Sequence, residues 1–282
     1  MYSFSIGVML DSFRTDTASA LEKAAATGAS GIQVYTSRGE MSAEKLTPLK
    51  RREFLKAVRA NGLEISALCG DLGLGFGNKE RNPKLIDRSK RILELAKDLE
   101  TNVVTTHIGV VPKDPGHERY KIMQEACFEL SRFADSLGAH FAVETGPETA
   151  AILKGFLDSL GSKGVAVNYD PANFVMVTGD DPVQGVYTLK DYIVHTHAKD
   201  GRRLRECDPE MVYGIIEKSV QEGRNFEELP LGQGDVDFPR YINALHDIGY
   251  RGYLTVERET GENPEEDIIH AVNFLKELIG AK

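Results

Sequence analysis

Short apolar runs alternate along the chain with longer stretches whose apolar positions recur at helical spacing. The runs predict strands at Phe4–Met9, Gly31–Tyr35, Glu64–Leu68, Val103–His107, Phe141–Glu144, Val165–Asp170, Ile193–His197 and Tyr253–Glu257, eight in all. Helix signals fall between them. Asp16 and Thr17 cap Ala18–Thr27, which Gly28 stops; Ser42 opens a segment closed by Asn61-Gly62; Lys84–Glu100 carries an apolar stripe of Leu85, Ile86, Ile92, Leu93, Leu95, Ala96 and Leu99. The last helix starts at Pro264 and ends before Gly280, and another begins near Phe238.

Strictly alternating strand and helix predicts a parallel sheet. Eight such units closing on themselves make a (β/α)8 TIM barrel, and 282 residues fit one such domain, 1–282. An open doubly wound sheet is the alternative, but the first strand-helix turn lacks GxGxxG. The spacing breaks once. About forty residues separate His197 from the helix near Phe238, holding Gly201-Arg202-Arg203-Leu204-Arg205, a predicted helix at Glu210–Gln221 and Leu231-Gly232-Gln233-Gly234. A long excursion at the C-terminal end of a barrel strand reads as a lid, here 201–235.

Composition narrows the class. Hydrophobic residues make up 41% and charged residues 27%, as in a globular protein, and the net charge of −9 argues against a nucleic-acid partner. Cys69, Cys127 and Cys207 show no CxxC spacing, which suits a reducing compartment. The N-terminal run lacks a basic region and reaches Asp11 early, and no run is long enough to span a bilayer, so the expectation is cytoplasmic, with no membrane association.

Chemistry enters at the strand ends. In Ile193–His197 the period of two groups Ile193, His195 and His197 on one face against Val194 and Thr196. The same parity pairs Ala142 with Glu144, Asn168 with Asp170, and Thr255 with Glu257. Each residue has an ordinary reading alone: His195 and His197 as hydrogen-bonded core histidines, Glu144 paired with an arginine, Asp170 capping the turn before Pro171, Glu257 bridging to Arg258 or Arg251. Four strands ending this way on the interior face of a barrel ask for one explanation, because all four tips converge at the C-terminal mouth. Three carboxylates brought together repel, and a divalent cation keeps them ionised. Three oxygens and an imidazole suit Mn²⁺, Mg²⁺ or Co²⁺ better than Zn²⁺. His107 shares a face with Thr105 and is expected to line the mouth, with Cys69 and Asp71 beyond the third strand as weaker candidates and Lys199-Asp200 as a pair behind His197.

These motifs resemble the xylose isomerase-like TIM barrels, which include sugar epimerases, keto-inositol dehydratases and nucleases of the endonuclease IV type. The resemblance rests on Phe141-Ala142-Val143-Glu144, Asn168-Tyr169-Asp170-Pro171-Ala172-Asn173, Val194-His195-Thr196-His197-Ala198-Lys199-Asp200, Leu231-Gly232-Gln233-Gly234-Asp235-Val236-Asp237 and Gly252-Tyr253-Leu254-Thr255-Val256-Glu257. It covers the second half strongly and the first half only as a barrel pattern. The resemblance implies that Glu144, Asp170, His197 and Glu257 bind one divalent cation and that Glu144 and Glu257 also act as acid and base. It implies that Arg203 contacts substrate. Asn173 stands where several relatives have a histidine, which suits a hydroxyl contact and disfavours a multi-zinc nuclease.

Four functions are compatible. A metal-dependent sugar isomerase or epimerase, removing a proton beside a carbonyl, comes first. A lyase acting on a keto-inositol or keto-glycoside is the alternative, followed by an abasic-site nuclease and a silent sugar-binding barrel. The expected partner is a small carbohydrate, and the resemblance implies a homodimer or homotetramer. The acidic loop after Glu257 favours an uncharged polyol or keto sugar over a phosphorylated one, although Arg202, Arg203 and Arg205 can compensate.

Overall fold

The computed structural model describes residues 2–216 and 224–280. Its elements in chain order are β1 Ser5–Met9, α1 Thr17–Thr27, β2 Gly31–Tyr35, α2 Pro48–Ala60, β3 Glu64–Cys69, α3 Asn82–Asp98, β4 Val103–Thr106, α4 Glu118–Leu137, β5 His140–Glu144, α5 Ala150–Asp158 and β6 Val165–Tyr169. There follow the short α6 Pro171–Asn173, α7 Pro182–Leu189, β7 Ile193–Ala198, β8 Asp200–Arg203, α8 Pro209–Val212, β9 Phe226–Leu229, α9 Phe238–Asp247, β10 Tyr253–Val256 and α10 Pro264–Ile279. Eight parallel strands close in the order β1-β10-β7-β6-β5-β4-β3-β2, as the alternation predicts. The chain is a single-domain (β/α)8 barrel.

Local signals explain most element ends. Asp16 accepts from Ala18 N and Ser19 N, both at 3.1 Å, and Gly28 takes the left-handed conformation that stops α1. α2 begins six residues later than the Ser42 reading, because Thr47 followed by Pro48 is the stronger start, while Ser42 lies in a turn. α3 runs Asn82–Asp98 rather than Lys84–Glu100, and Glu100 sits at φ 61°, which a helix cannot continue through. The helix expected at Glu210–Gln221 is replaced by Pro209–Val212 and a turn, with Gly214 at φ 70° ending the helical run. Residues 217–221 of that expectation lie outside the described residues.

Strict alternation fails in β7. Val167 pairs with Ile193 and Asn168 with His195, so two residues of β7 span one step of β6. That bulge lets Val194 pack on Ala67, Val103 and Ala142 inside the barrel, instead of opposite to His195. The floor of the barrel is this small apolar layer. Above it the interior is polar and buried, with Gln33, Thr105, Asn168, His195, His197 and Thr255 all at 2% exposure or less. Outward residues such as Tyr169 pack against Phe174 and Tyr241 of the helical shell.

Asp200 anchors both ends of the described part of the excursion after β7. β8 and β9 form an antiparallel hairpin, and Asp200 accepts from Gly201 N, Gly232 N, Gly234 N and Val236 N at 2.8–3.2 Å. A Cβ on Gly234 would stand 2.1 Å from Asp200 Oδ1, which explains the glycine there. No helix among the described residues is long and apolar enough to cross a membrane.

Candidate metal centre

Three of the four strand-end residues sit at or just past a strand tip. Glu144 closes β5, Asp170 follows β6 as the cap of α6, and Glu257 follows β10; His197 is the penultimate residue of β7. One ligand atom from each lies within 4.8 Å of all the others. All four are buried, Asp170 and His197 at 0% exposure, Glu144 at 6% and Glu257 at 7%.

The hydrogen bonds leave one oxygen over. Asp170 Oδ1 accepts from Ala172 N at 2.8 Å and Asn173 N at 3.1 Å. Its Oδ2 is buried and has no hydrogen-bond partner among the described residues. A buried carboxylate oxygen without a donor is costly, and a cation is the natural partner. The donor set of three carboxylates and an imidazole fits a hard divalent cation.

The histidine is presented in the matching tautomer. Thr105 donates to Leu68 O at 3.4 Å and accepts from Gln33 Nε2 at 3.0 Å, which turns Gln33 Oε1 towards His197 Nε2 at 3.1 Å. In the neutral ring that a cation requires, this acceptor places the hydrogen on Nε2, where Asn168 Nδ2 also lies at 3.2 Å, and Nδ1 faces Glu257 Oε2 at 3.3 Å and Glu144 Oε2 and Asp170 Oδ2 at 3.7 Å each. His195 is a satisfied core histidine, with Nδ1 at 2.8 Å from Asn168 Oδ1 and Nε2 at 3.0 Å from Thr255 Oγ1. Burial holds its pKa well below the ordinary value, so it is neutral.

The two glutamates are held differently. Burial pushes Glu144 up to about 7, opposed by His107 and reinforced by the negative charge of Glu257. Its Oε1 accepts from Asn173 Nδ2 at 2.9 Å. Burial also opposes ionisation of Glu257, yet Lys199, at 3.0 Å, and His197 hold its carboxyl below the usual range. Lys199 pairs in turn with Glu259 at 2.6 Å. Burial alone would discharge His197, but Glu257 and Glu144 raise its pKa well above the ordinary value without a cation.

A cavity of about 910 Å³ opens over this centre, and His107, Asn173, Cys69 and Asp71 line it with Glu144, His197 and Glu257. His107 lies one residue past β4, its Nδ1 3.5 Å from Asp71 Oδ2 and its Nε2 3.7 Å from Glu144 Oε1. Burial would lower its pKa, but the charges of Glu144 and Asp71 raise it to about 9. Arg203 is not brought into the cavity wall. Its guanidinium donates to Arg205 O at 3.3 Å and Thr178 O at 3.4 Å, because the β8 hairpin turns it towards the Gly179 turn.

Sequence reasoning passed over Gln33, Tyr213 and Glu148. Gln33 carried a usable signal, as the one polar side chain between Ile32 and Val34 in an apolar strand. Tyr213, which places its ring 5.9 Å from that of His107, comes from the excursion after β7 and carried none. Glu148, at 4% exposure, accepts from Val111 N at 3.0 Å, and burial raises its pKa to about 8.

A closed barrel whose strand ends gather an acidic, single-histidine centre defines the class, and comparison with known proteins names it. Residues 21–278 match the family described as xylose isomerase-like TIM barrel, and the chain belongs to that family. It is 24% identical over 258 residues to a putative L-ribulose-5-phosphate 3-epimerase, SgbU, of Haemophilus influenzae, covering 88% of this chain and 84% of that protein. It is 26% identical over 167 residues to the inosose dehydratase of Clostridium perfringens, covering 57% of this chain and 55% of that protein. The xylose isomerase domain protein from Planctomyces limnophilus shares its fold, with a TM-score of 0.78 at 22% identity over 98% of this chain and 96% of that one.

Proposed function

We propose that this protein is a divalent-metal-dependent sugar isomerase or epimerase that moves a proton at the carbon beside a carbonyl. The observation that carries the reading is the buried Asp170 Oδ2, without a hydrogen-bond partner among the described residues, facing Glu144, His197 and Glu257 within one 4.8 Å cluster. Glu144, Asp170, His197 and Glu257 would hold the cation, which when bound supplies a Lewis acid that polarises the substrate carbonyl.

The chain's own groups supply the rest. Glu144 and Glu257 take and return the proton from opposite faces of the reacting carbon, a role worth roughly 10²–10⁴-fold for a well-placed base. Asn173 fixes Glu144 through Oε1, and Lys199 fixes Glu257 through Oε2. His107 and the Asn173 amide also face the cavity, where a sugar hydroxyl can accept or share a hydrogen bond.

A lyase reading has one feature in its favour. Asp71 and His107 form a further acid–base pair beside Glu144, and an elimination needs a group to protonate the departing hydroxyl. Incubation with manganese in deuterated water and a panel of ketoses and keto-inositols separates the two. Deuterium at a carbon of inverted configuration supports the epimerase, and loss of water supports the lyase. The absence of both deuterium incorporation and loss of water with every substrate, with manganese present, would remove both readings.

A further inference from the structure

Barrel enzymes that hold phosphate do so with the loops after the seventh and eighth strands, using backbone N–H groups and a helix N-terminus. Here the eighth barrel strand is β10, and the loop after it runs Arg258-Glu259-Thr260-Gly261. Its backbone does form an anion cradle, but the chain fills it. Glu228, on β9 of the excursion after the seventh strand, accepts from Arg258 Nη1 at 2.6 Å, Glu259 N at 3.1 Å and Thr260 N at 3.4 Å through one carboxylate oxygen.

The cationic charge nearby is committed as well. Arg258 Nε donates to Asp267 Oδ2 at 2.8 Å and Nη1 also to Thr260 Oγ1 at 2.9 Å, while Lys199 is shared between Glu257 and Glu259. The first turn of α10 holds Glu265, Glu266 and Asp267, so its positive end faces the chain's own carboxylates. The Glu228 and Arg258 side chains are 5% and 9% exposed. Glu228, Arg258, Glu259 and Thr260 line the same cavity as Glu144, His197 and Glu257, so the cradle lies where the far end of a bound sugar would reach.

We propose that Glu228 is a specificity-determining residue: its carboxylate occupies the phosphate cradle at the end of β10 and restricts the substrate to an unphosphorylated keto sugar or cyclitol. This rests on the sugar-converting reading of the metal centre. A phosphate brought to this wall meets a fixed negative charge and finds its backbone donors already taken. Arg81 and Arg224 also line the cavity but are exposed, where water and salt weaken their hold on an anion.

The test is calorimetric titration of inorganic phosphate into the metal-loaded wild type, Glu228→Ala and Glu228→Gln, at constant ionic strength. Phosphate that binds the metal itself does so in all three proteins, so the difference reads the cradle. Glu228→Ala is expected to gain a saturable site at least tenfold tighter than any in the wild type, and Glu228→Gln a smaller gain. If the alanine variant does not fold, the near-isosteric glutamine variant carries the comparison. In turnover assays the wild type is expected to favour a ketose over its phosphate ester by at least 100-fold in kcat/KM, and the variants to narrow that ratio through KM. Equal phosphate affinity in folded wild type and variants, or a wild type that prefers the phosphate ester, overturns the proposal. A gained phosphate site in a protein that turns over no sugar upholds the cradle while removing the proton-transfer function.

Discussion

Gln33 Oε1 faces His197 Nε2 at 3.1 Å across the barrel interior, and through it Thr105 and the Leu68 carbonyl decide which nitrogen of the histidine is free. A ligand histidine depends on such a partner for its orientation and tautomer. Replacing Gln33 by Leu removes the acceptor and lets the proton move to Nδ1. Affinity for manganese, measured by competition with a chromophoric chelator, is expected to fall roughly 10–100-fold with the barrel intact. Unchanged affinity would contradict the tautomer argument.

Asp170 serves two roles with two oxygens, and Asp170→Asn separates them. The carbonyl oxygen can still cap α6, so the metal-free variant should stay folded, while losing one of the carboxylates that face His197. The gain on adding cation should vanish. For the wild type that gain is about 2.7 kcal/mol at a cation concentration of 100 times Kd. A variant stabilised by manganese as strongly as the wild type would show that Oδ2 is not a ligand.

The pH dependence has a definite sign. Burial lifts Glu144 to about 7 and Glu148 to about 8, against an ordinary glutamate value of 4.5. Groups that bind protons more tightly when folded stabilise the fold at low pH and lose that contribution as pH rises through the folded value. The metal-free protein should therefore lose stability between about pH 5 and 8 from these two groups. A bound cation competes with the protons of Glu144 and His197, so the melting-temperature gap between metal-loaded and metal-free protein should widen with pH over the same range. Thermal scans at several pH values check this; a gap that narrows would contradict it.

The fold was legible because its period switches are strong: alternating apolar runs and capped helices define a barrel before any side chain is placed. The four converging residues were legible because carboxylates and imidazoles are out of place at the ends of buried strands. The tautomer lock on His197 was not, since a glutamine in β2 and a threonine in β4 meet only once the barrel closes. Arg203 was carried over by spacing from His197, and spacing cannot register that the β8–β9 hairpin turns its guanidinium back onto Arg205 and Thr178. The bulge at Val194 was equally invisible, because two residues facing one partner is a property of the pair of strands.

The excursion over the mouth depends on Asp200. Its carboxylate receives four backbone N–H groups, and Asp200→Ala leaves them without that acceptor. Urea unfolding should show a loss of about 2–4 kcal/mol. Gly234→Ala should also destabilise, since its Cβ would sit 2.5 Å from Gly201 N. Wild-type midpoints in both variants would mean the loop is held by other contacts.

Glu144→Gln and Glu257→Gln should each lower turnover by at least roughly 100-fold while circular dichroism stays native. Near-wild-type rates in either would remove the two-carboxylate mechanism.

The most direct measurement is a crystal grown with manganese, with data collected at the manganese absorption edge. One anomalous peak is predicted, bonded at about 2.1 Å to oxygens of Glu144, Asp170 and Glu257 and to Nδ1 of His197. A peak elsewhere, or no peak among these four side chains, would contradict the account.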